Sequence, residues 1–109
     1  SYTEMAWAVL MAGGSCPDFP VKDKQFLHSV AAMQPSFNKD NVYMISGGKD
    51  AVAYIGTENN AIKVSISKGI YDILEIDSKS GELKKAKTGV SIDGNYLISS
   101  KGIYWLRKR

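Results

Sequence analysis

The chain has 109 residues, 44% of them hydrophobic and 23% charged. That is the composition of one globular domain able to bury a core without cross-links, and it excludes an intrinsically disordered chain. Fourteen Lys and Arg against 11 Asp and Glu leave a formal charge of +3, too small to argue for nucleic acid as a partner. No apolar run approaches the roughly 18 residues of a membrane span, and the single cysteine, Cys16, excludes an internal disulfide.

Met5 to Ala12 form an unbroken apolar run closed by Gly13-Gly14, which predicts a helix over 3–12 with a glycine stop. A helix apolar on every side must be buried on several sides at once, and little else in the chain is helical enough to bury it. The expectation is therefore a C-terminal piece of a longer protein, with the parent's chemistry lying upstream. Glu4, in the first turn, is expected to face solvent, where the helix dipole favours a negative charge. Cys16 falls in a breaker-rich loop over 15–20 and reads as a small apolar filler. A second helix is predicted from Lys22 to Met33, because Phe26, Leu27, Val30 and Met33 share one stripe. Pro35 ends it.

Beyond Pro35 the period becomes two. Strands are expected at Val42–Ser46, Ala51–Ile55, 62–66, Ile70–Ile76, Glu82–Lys87 and Ile103–Leu106, with a short ribbon from Ser91-Ile92 and Tyr96-Leu97-Ile98. Asp77 to Gly81 is the turn of a hairpin joining 70–76 to 82–87. Turn signals about every ten residues, with no helical segment between strands, argue for antiparallel pairing. The fold class is mainly β: a helical segment over 1–35, then a small antiparallel β-sandwich of about seven to eight strands over 36–109. Ser67-Lys68-Gly69-Ile70-Tyr71 recurs as Ser100-Lys101-Gly102-Ile103-Tyr104. With only two copies, it reads as one local solution used twice: a turn-permitting Gly, then a β-branched and an aromatic residue opening a strand.

Catalytic chemistry is hard to assemble from these residues. Asp50, Glu58, Asp77, Glu82 and Asp93 read as solvated turn or strand-face carboxylates. Asp72 and Glu75 lie on opposite faces of one strand and cannot form a pair. His28 stands beside the stripe of the second helix as a surface or boundary residue, and one histidine without companions makes neither a metal site nor a triad. Gly47-Gly48-Lys49 lacks the spacing and the following helix of a phosphate loop and reads as a hairpin turn. Arg107-Lys108-Arg109 reads as a solvated tail. No cofactor is implied.

Aromatic residues are the remaining candidates, because rings in strands can stack sugars as well as fill a core. Tyr104 and Trp105 point to opposite faces, so both should not be in the core, and one should lie outside or against a neighbouring element. Tyr96, Tyr104 and Trp105 are the candidate binding residues.

Two segments resemble a known family. Ala6 through Gly14 looks like the last barrel helix of bacterial glycoside-hydrolase-like proteins, in which a catalytic TIM barrel precedes a small β-sandwich labelled a collagen-binding domain. Gly69-Ile70-Tyr71 through Asp77-Ser78-Lys79-Ser80-Gly81-Glu82 resembles that sandwich's G-x-Y…D-x-x-[TS]-G-E hairpin, and Gly102 to Leu106 matches its usual final strand in kind. Glu75 departs from the pattern, where members often carry an aromatic. The resemblance implies a secreted or periplasmic, non-catalytic accessory domain that packs on an upstream barrel and touches polysaccharide. It carries no catalytic residue onto this chain. The alternative is an independent cell-surface domain that binds protein through an edge strand or aromatic patch.

Overall fold

The computed structural model describes residues 2–14, 19–58 and 61–109, with side chains from Ala6 onward. The readings of Glu4 and Cys16 lie outside the described side chains and residues. Two helices, α1 (Tyr2–Met11) and α2 (Lys24–Ala31), precede eight strands: β1 (Gln34–Lys39), β2 (Val42–Gly47), β3 (Asp50–Ile55), β4 (Ile62–Ser65), β5 (Gly69–Ile76), β6 (Leu83–Ile92), β7 (Asn95–Ile98) and β8 (Gly102–Lys108). Six of them form an antiparallel sheet in the order β1-β2-β3-β8-β5-β6, and β4 pairs with β7 in a separate ribbon. The mainly β, antiparallel architecture and the strand number expected from the turn spacing are what the chain adopts.

The helices end and begin as their residues dictate. Gly13 takes φ +88°, its N–H donates to Leu10 O, and Gly14 N–H reaches back to Val9 O, the paired bonds of a Schellman stop. Asp23 caps α2 by accepting the Phe26 N–H at 2.9 Å. The six-stranded sheet is covered on one face by α1 and α2 and on the other by the β4–β7 ribbon, so there are two cores. Trp7, Phe19, Phe26, Ile45, Val52, Leu74 and Trp105 fill the helix side. Val42, Met44, Ala53, Val64, Tyr71, Ile73, Ile98, Tyr104 and Leu106 fill the ribbon side. Alternate residues of β3 and β8 therefore enter different cores, and both faces of these central strands are dry.

Several expectations are corrected by this layering. Tyr104 is 8% exposed and Trp105 0%, so both are core residues; each face of β8 has its own cover, which period-two reasoning on a one-sided sheet does not foresee. The helical segment ends before 35: β1 begins at Gln34 and is exposed along its whole length. Pro35 is tolerated there because an edge strand leaves one set of backbone donors unpaired. The β1–β2 turn is Asp40-Asn41, with φ +54° and +63°, a two-residue loop with both central residues left-handed. Tyr96-Leu97-Ile98 does not pair with Ser91-Ile92; Tyr96 lies opposite Val64 and Ile98 opposite Ile62.

Other expectations hold. Gly47-Gly48-Lys49 is the β2–β3 hairpin turn, with φ +60° at Gly48. Asp77 organises the β5–β6 turn, its carboxylate accepting the Lys79 and Ser80 N–H groups at 2.9 and 2.8 Å. These two bonds, Ser80 first, pull its pKa below the usual carboxylate value. The repeated pentapeptide performs one task twice: Tyr71 Oη donates to Ser67 O at 2.7 Å and Tyr104 Oη to Ser100 O at 3.0 Å. In each copy the chain leaves the ribbon (β4 or β7) and enters the large sheet (β5 or β8) through Ser-Lys-Gly.

α1 is buried along one stripe only. Ala6, Trp7 and Met11 sit on the sheet, whereas Ala8 and Ala12 are exposed and Val9 is half-buried. The expectation of burial on several sides is thus corrected: within this chain the sheet covers one side of the helix, and small or apolar residues occupy the other.

Candidate functional site

The helix-side face of the sheet is built in rows that run across the strands. In one row Asn38 lies opposite Tyr43, Tyr43 opposite Tyr54, Tyr54 opposite Ile103, and Ile103 opposite Ile76. The next row is Ile45, Val52, Trp105 and Leu74. In the third, Arg107 faces Asp72. The face therefore passes from amide and phenol, through hydrocarbon and indole, to charge.

The charged row is structural. Asp72 is the buried charged residue among those described. Residues 88 and 89 of β6 oppose this single residue of β5, since Tyr71 pairs with Val90 and Ile73 with Lys87. This bulge, with Gly89 at φ +65°, aims the Gly89 N–H at Asp72 Oδ1, 3.0 Å away. Arg109 adds contacts of 3.1 Å from Nε and 3.0 Å from Nη2 to Oδ1, and Arg107 one of 3.3 Å to Oδ2. The Gly89 bond, then Arg109 and Arg107, hold the Asp72 pKa down from 3.8 to about 2. The C-terminal basic residues are consequently not a solvated tail. Arg107 and Lys108 extend β8, Lys108 N–H donates to Asp50 Oδ1 at 3.0 Å, and Arg109 N–H to Ile70 O at 2.8 Å. Asp50, expected as a solvated turn carboxylate, is half-buried and also accepts Trp105 Nε1 at 3.2 Å.

Of the three candidate binding residues, the fold brings Tyr96 and Tyr104 together and sends Trp105 to the opposite core. Tyr96 and Tyr104 border a cleft of about 150 Å3 on the ribbon side, with the Lys87 ammonium 5.8 Å from the Tyr96 ring centroid. Burial first, then the nearby Glu75 and Glu58, raise the Tyr104 pKa above its usual value. Trp105 is enclosed, edge-on to Phe26 with centroids 5.3 Å apart and with the Arg107 guanidinium 5.2 Å from its own. Neither Tyr104 nor Trp105 offers a ring face to a ligand; both rings are core.

Three larger clefts lie along the sheet. One, of about 280 Å3, opens where α1 ends over the first row and is lined by Tyr43, Tyr54, Asn38 and Asn41 against Trp7, Ala8, Met11 and Ala12. Tyr43 and Tyr54 meet edge-on with centroids 6.1 Å apart, and Trp7 lies 6.5 Å from Tyr54. Trp7 is itself fixed by its Nε1 bond to Ser78 O at 2.9 Å. A second cleft, of about 550 Å3, carries Glu75, Glu82, Lys84 and Lys101 at the end of the sheet. The third, of about 680 Å3, lies between α2 and the C-terminal strand with His28, Lys49 and Lys108. His28 is exposed in the last turn of α2, as its position off the apolar stripe predicts.

Sequence reasoning did not single out Asn38, Asn41, Tyr43 or Tyr54 as a group. The available signal was Asp40-Asn41, a pair tolerant of positive φ, which makes residues 34–47 a hairpin and sets Asn38 beside Tyr43. Among the described residues no group of three His, Cys, Asp or Glu side chains is placed to hold a metal ion, and no helix is long and apolar enough to cross a membrane. Compared with protein-family models, with curated proteins and with solved structures, the chain finds no match in any of the three.

Proposed function

We propose that this chain is a non-catalytic C-terminal accessory domain of a glycoside-hydrolase-like protein, serving a structural or carbohydrate-binding role beside an upstream barrel. The observation that carries the reading is the two-sidedness of α1. Its inner stripe (Ala6, Trp7, Met11) is committed to the sheet, while small or apolar side chains continue round the helix: Ala8 and Ala12 border the Tyr43–Tyr54 cleft, and Val9 beyond them suits packing against a further element. The resemblance adds its hairpin: the segment from Gly69 to Glu82 forms β5, the Asp77 turn and the approach to β6, at one edge of the large sheet. A non-catalytic role is consistent with Asp72, the one buried carboxylate described, being fully engaged by Gly89, Arg107 and Arg109.

The test is the reading frame upstream of Ser1. A barrel with two carboxylates at its strand ends is the expected result, and a frame without a barrel overturns the proposal. Glycan-array binding of the chain then separates the two roles, since a purely structural domain retains no glycan. One observation favours the alternative of a protein-interaction domain: β1 is a fully exposed edge with Phe37 45% exposed, the kind of edge to which a partner strand adds. Under that alternative a proline at a β1 position whose N–H points away from β2 abolishes partner capture and leaves the fold intact.

A further inference from the structure

We propose that the cleft between α1 and the β1–β2 hairpin is a subsite for one neutral sugar ring, packed in the angle between the Tyr43 and Tyr54 rings and hydrogen-bonded by the amides of Asn38 and Asn41. The proposal rests on the carbohydrate-binding form of the function above and names the place and the ligand class. No charged side chain is among those lining the cleft, so an ionic ligand would be taken from water without a compensating partner. Two half-buried phenol rings supply flat apolar surface, and two carboxamides supply both donors and acceptors. A ligand with an apolar ring face and a hydroxylated rim matches that pairing.

The site is held in place by the backbone rather than by its own side chains. Asn38, Tyr43 and Tyr54 are successive cross-strand partners, so their spacing is that of the sheet. Asn41 is fixed in a left-handed turn, with its carbonyl accepting the Gly56 N–H at 2.8 Å. Ala8 and Ala12, one helical turn apart, keep the opposing wall low; a longer side chain at either position would fill the space. The volume of about 280 Å3 is near the small end of ligand sites, on the order of 300 Å3, which suits a single ring rather than a long chain buried end to end. The two larger clefts are lined by charge, and the cleft beside Tyr96 is about half the size, with Lys87 over the ring.

The experiment is an amide-detected NMR titration of the labelled chain with glucose, galactose, mannose, xylose and their β-linked trisaccharides, with glucuronate and glucosamine as charged controls. At least one neutral sugar is expected to shift resonances of residues 38–43 and 54–56, including the Asn38 and Asn41 side-chain amides. Asn38→Ala, on the exposed edge strand, should weaken binding roughly threefold to tenfold, the size of one net hydrogen bond. Ala12→Leu should abolish binding while leaving the spectrum's dispersion unchanged. Sugar binding that both variants retain, or shifts confined to the Tyr96 or charged clefts, overturns the subsite but leaves a sugar-binding accessory domain standing. No shift with any sugar, alongside an upstream barrel, overturns the subsite and leaves the structural role. A response to glucuronate or glucosamine larger than to every neutral sugar overturns the ligand class.

Discussion

Replacing Trp105 by Phe tests how α2, the sheet and the C-terminal strand are locked to one another. Trp105 is 0% exposed, packs edge-on against Phe26 and donates Nε1 to Asp50 Oδ2. Phenylalanine keeps an aromatic ring at the Cβ end of the indole and lacks its outer part. It loses a donor to a carboxylate, worth about 1.5 kcal/mol or more, and leaves a void of one or two methylene equivalents at ~0.8 kcal/mol each. The expected loss is about 2–3 kcal/mol, a sizeable part of the roughly 5–15 kcal/mol that holds a domain of this length. With a urea slope of about 1–3 kcal/mol per molar, the midpoint should fall by roughly 1–2 M while the native circular dichroism is retained. Urea unfolding followed by circular dichroism reads this directly. A double-mutant cycle with Asp50→Ala then isolates the indole–carboxylate bond from Asp50's second bond, to the Lys108 N–H. A loss below about 0.5 kcal/mol, or a cycle without coupling, would refute the account of Trp105 as the joint between the two elements.

Three further outcomes follow from the fold. The Asp72 pKa is lower in the folded protein than its ordinary 3.8, at about 2, so the stability it contributes is present above the unfolded value and is lost as pH falls from near 4 towards 2. Melting temperature against pH should therefore drop across that window and drop less in Asp72→Asn; equal slopes would count against the ion-pair assignment. Gly81→Ala should destabilise by at least about 2 kcal/mol, because Gly81 sits at φ +74° and a Cβ there would run into the Pro20 carbonyl; thermal unfolding reads it. Tyr104→Phe should cost about 1 kcal/mol in urea unfolding and Tyr71→Phe somewhat more, since each removes a bond to a serine carbonyl four residues back and Tyr71 Oη also meets Ser67 Oγ at 3.0 Å. A large difference between them would mean that the two copies of the pentapeptide do not do the same work.

What was legible in the sequence was local, and what was not was set by partners far along the chain. Gly13-Gly14, Gly48-Lys49 and the Asp77–Gly81 turn are complete within six residues, and each forms as its residue types demand. Strand β1 escaped because Pro35 read as a terminator and because an exposed edge strand carries no apolar alternation. Arg107 and Arg109 escaped because their partner Asp72 lies 35 and 37 positions earlier. Tyr104 and Trp105 were misjudged together: alternation places them on opposite faces, but only the tertiary fold says that each face is covered. The Asn38, Tyr43 and Tyr54 row is likewise invisible until β1, β2 and β3 are in register.

The repeated pentapeptide explains why the cleft lies where it does. β4 lies antiparallel to β7 and β5 antiparallel to β8, with Ile73 opposite Leu106 near the middle of the second pair. Each ribbon strand feeds its sheet strand through Ser-Lys-Gly, so the two halves stand in a local two-fold relation. β6 flanks β5 as β3 flanks β8. This symmetric block supplies both faces of the ribbon-side core, and Tyr71 and Tyr104, the aromatic residues of its repeat, are closed by bonds to their own turns. Neither ring of the repeat is therefore left for a ligand. The parts that break the symmetry are α1, α2 and the β1–β2 hairpin, added on one side of the sheet. There the row across the strands runs out of hydrocarbon at Tyr54 and continues as Tyr43 and Asn38, at the margin of α1's buried stripe, where Trp7 and Met11 still line the cleft. A recognition surface can vary at that margin without disturbing the block that folds the chain, and substitutions at Asn38, Ala8 and Ala12 should alter binding while leaving unfolding midpoints nearly unchanged.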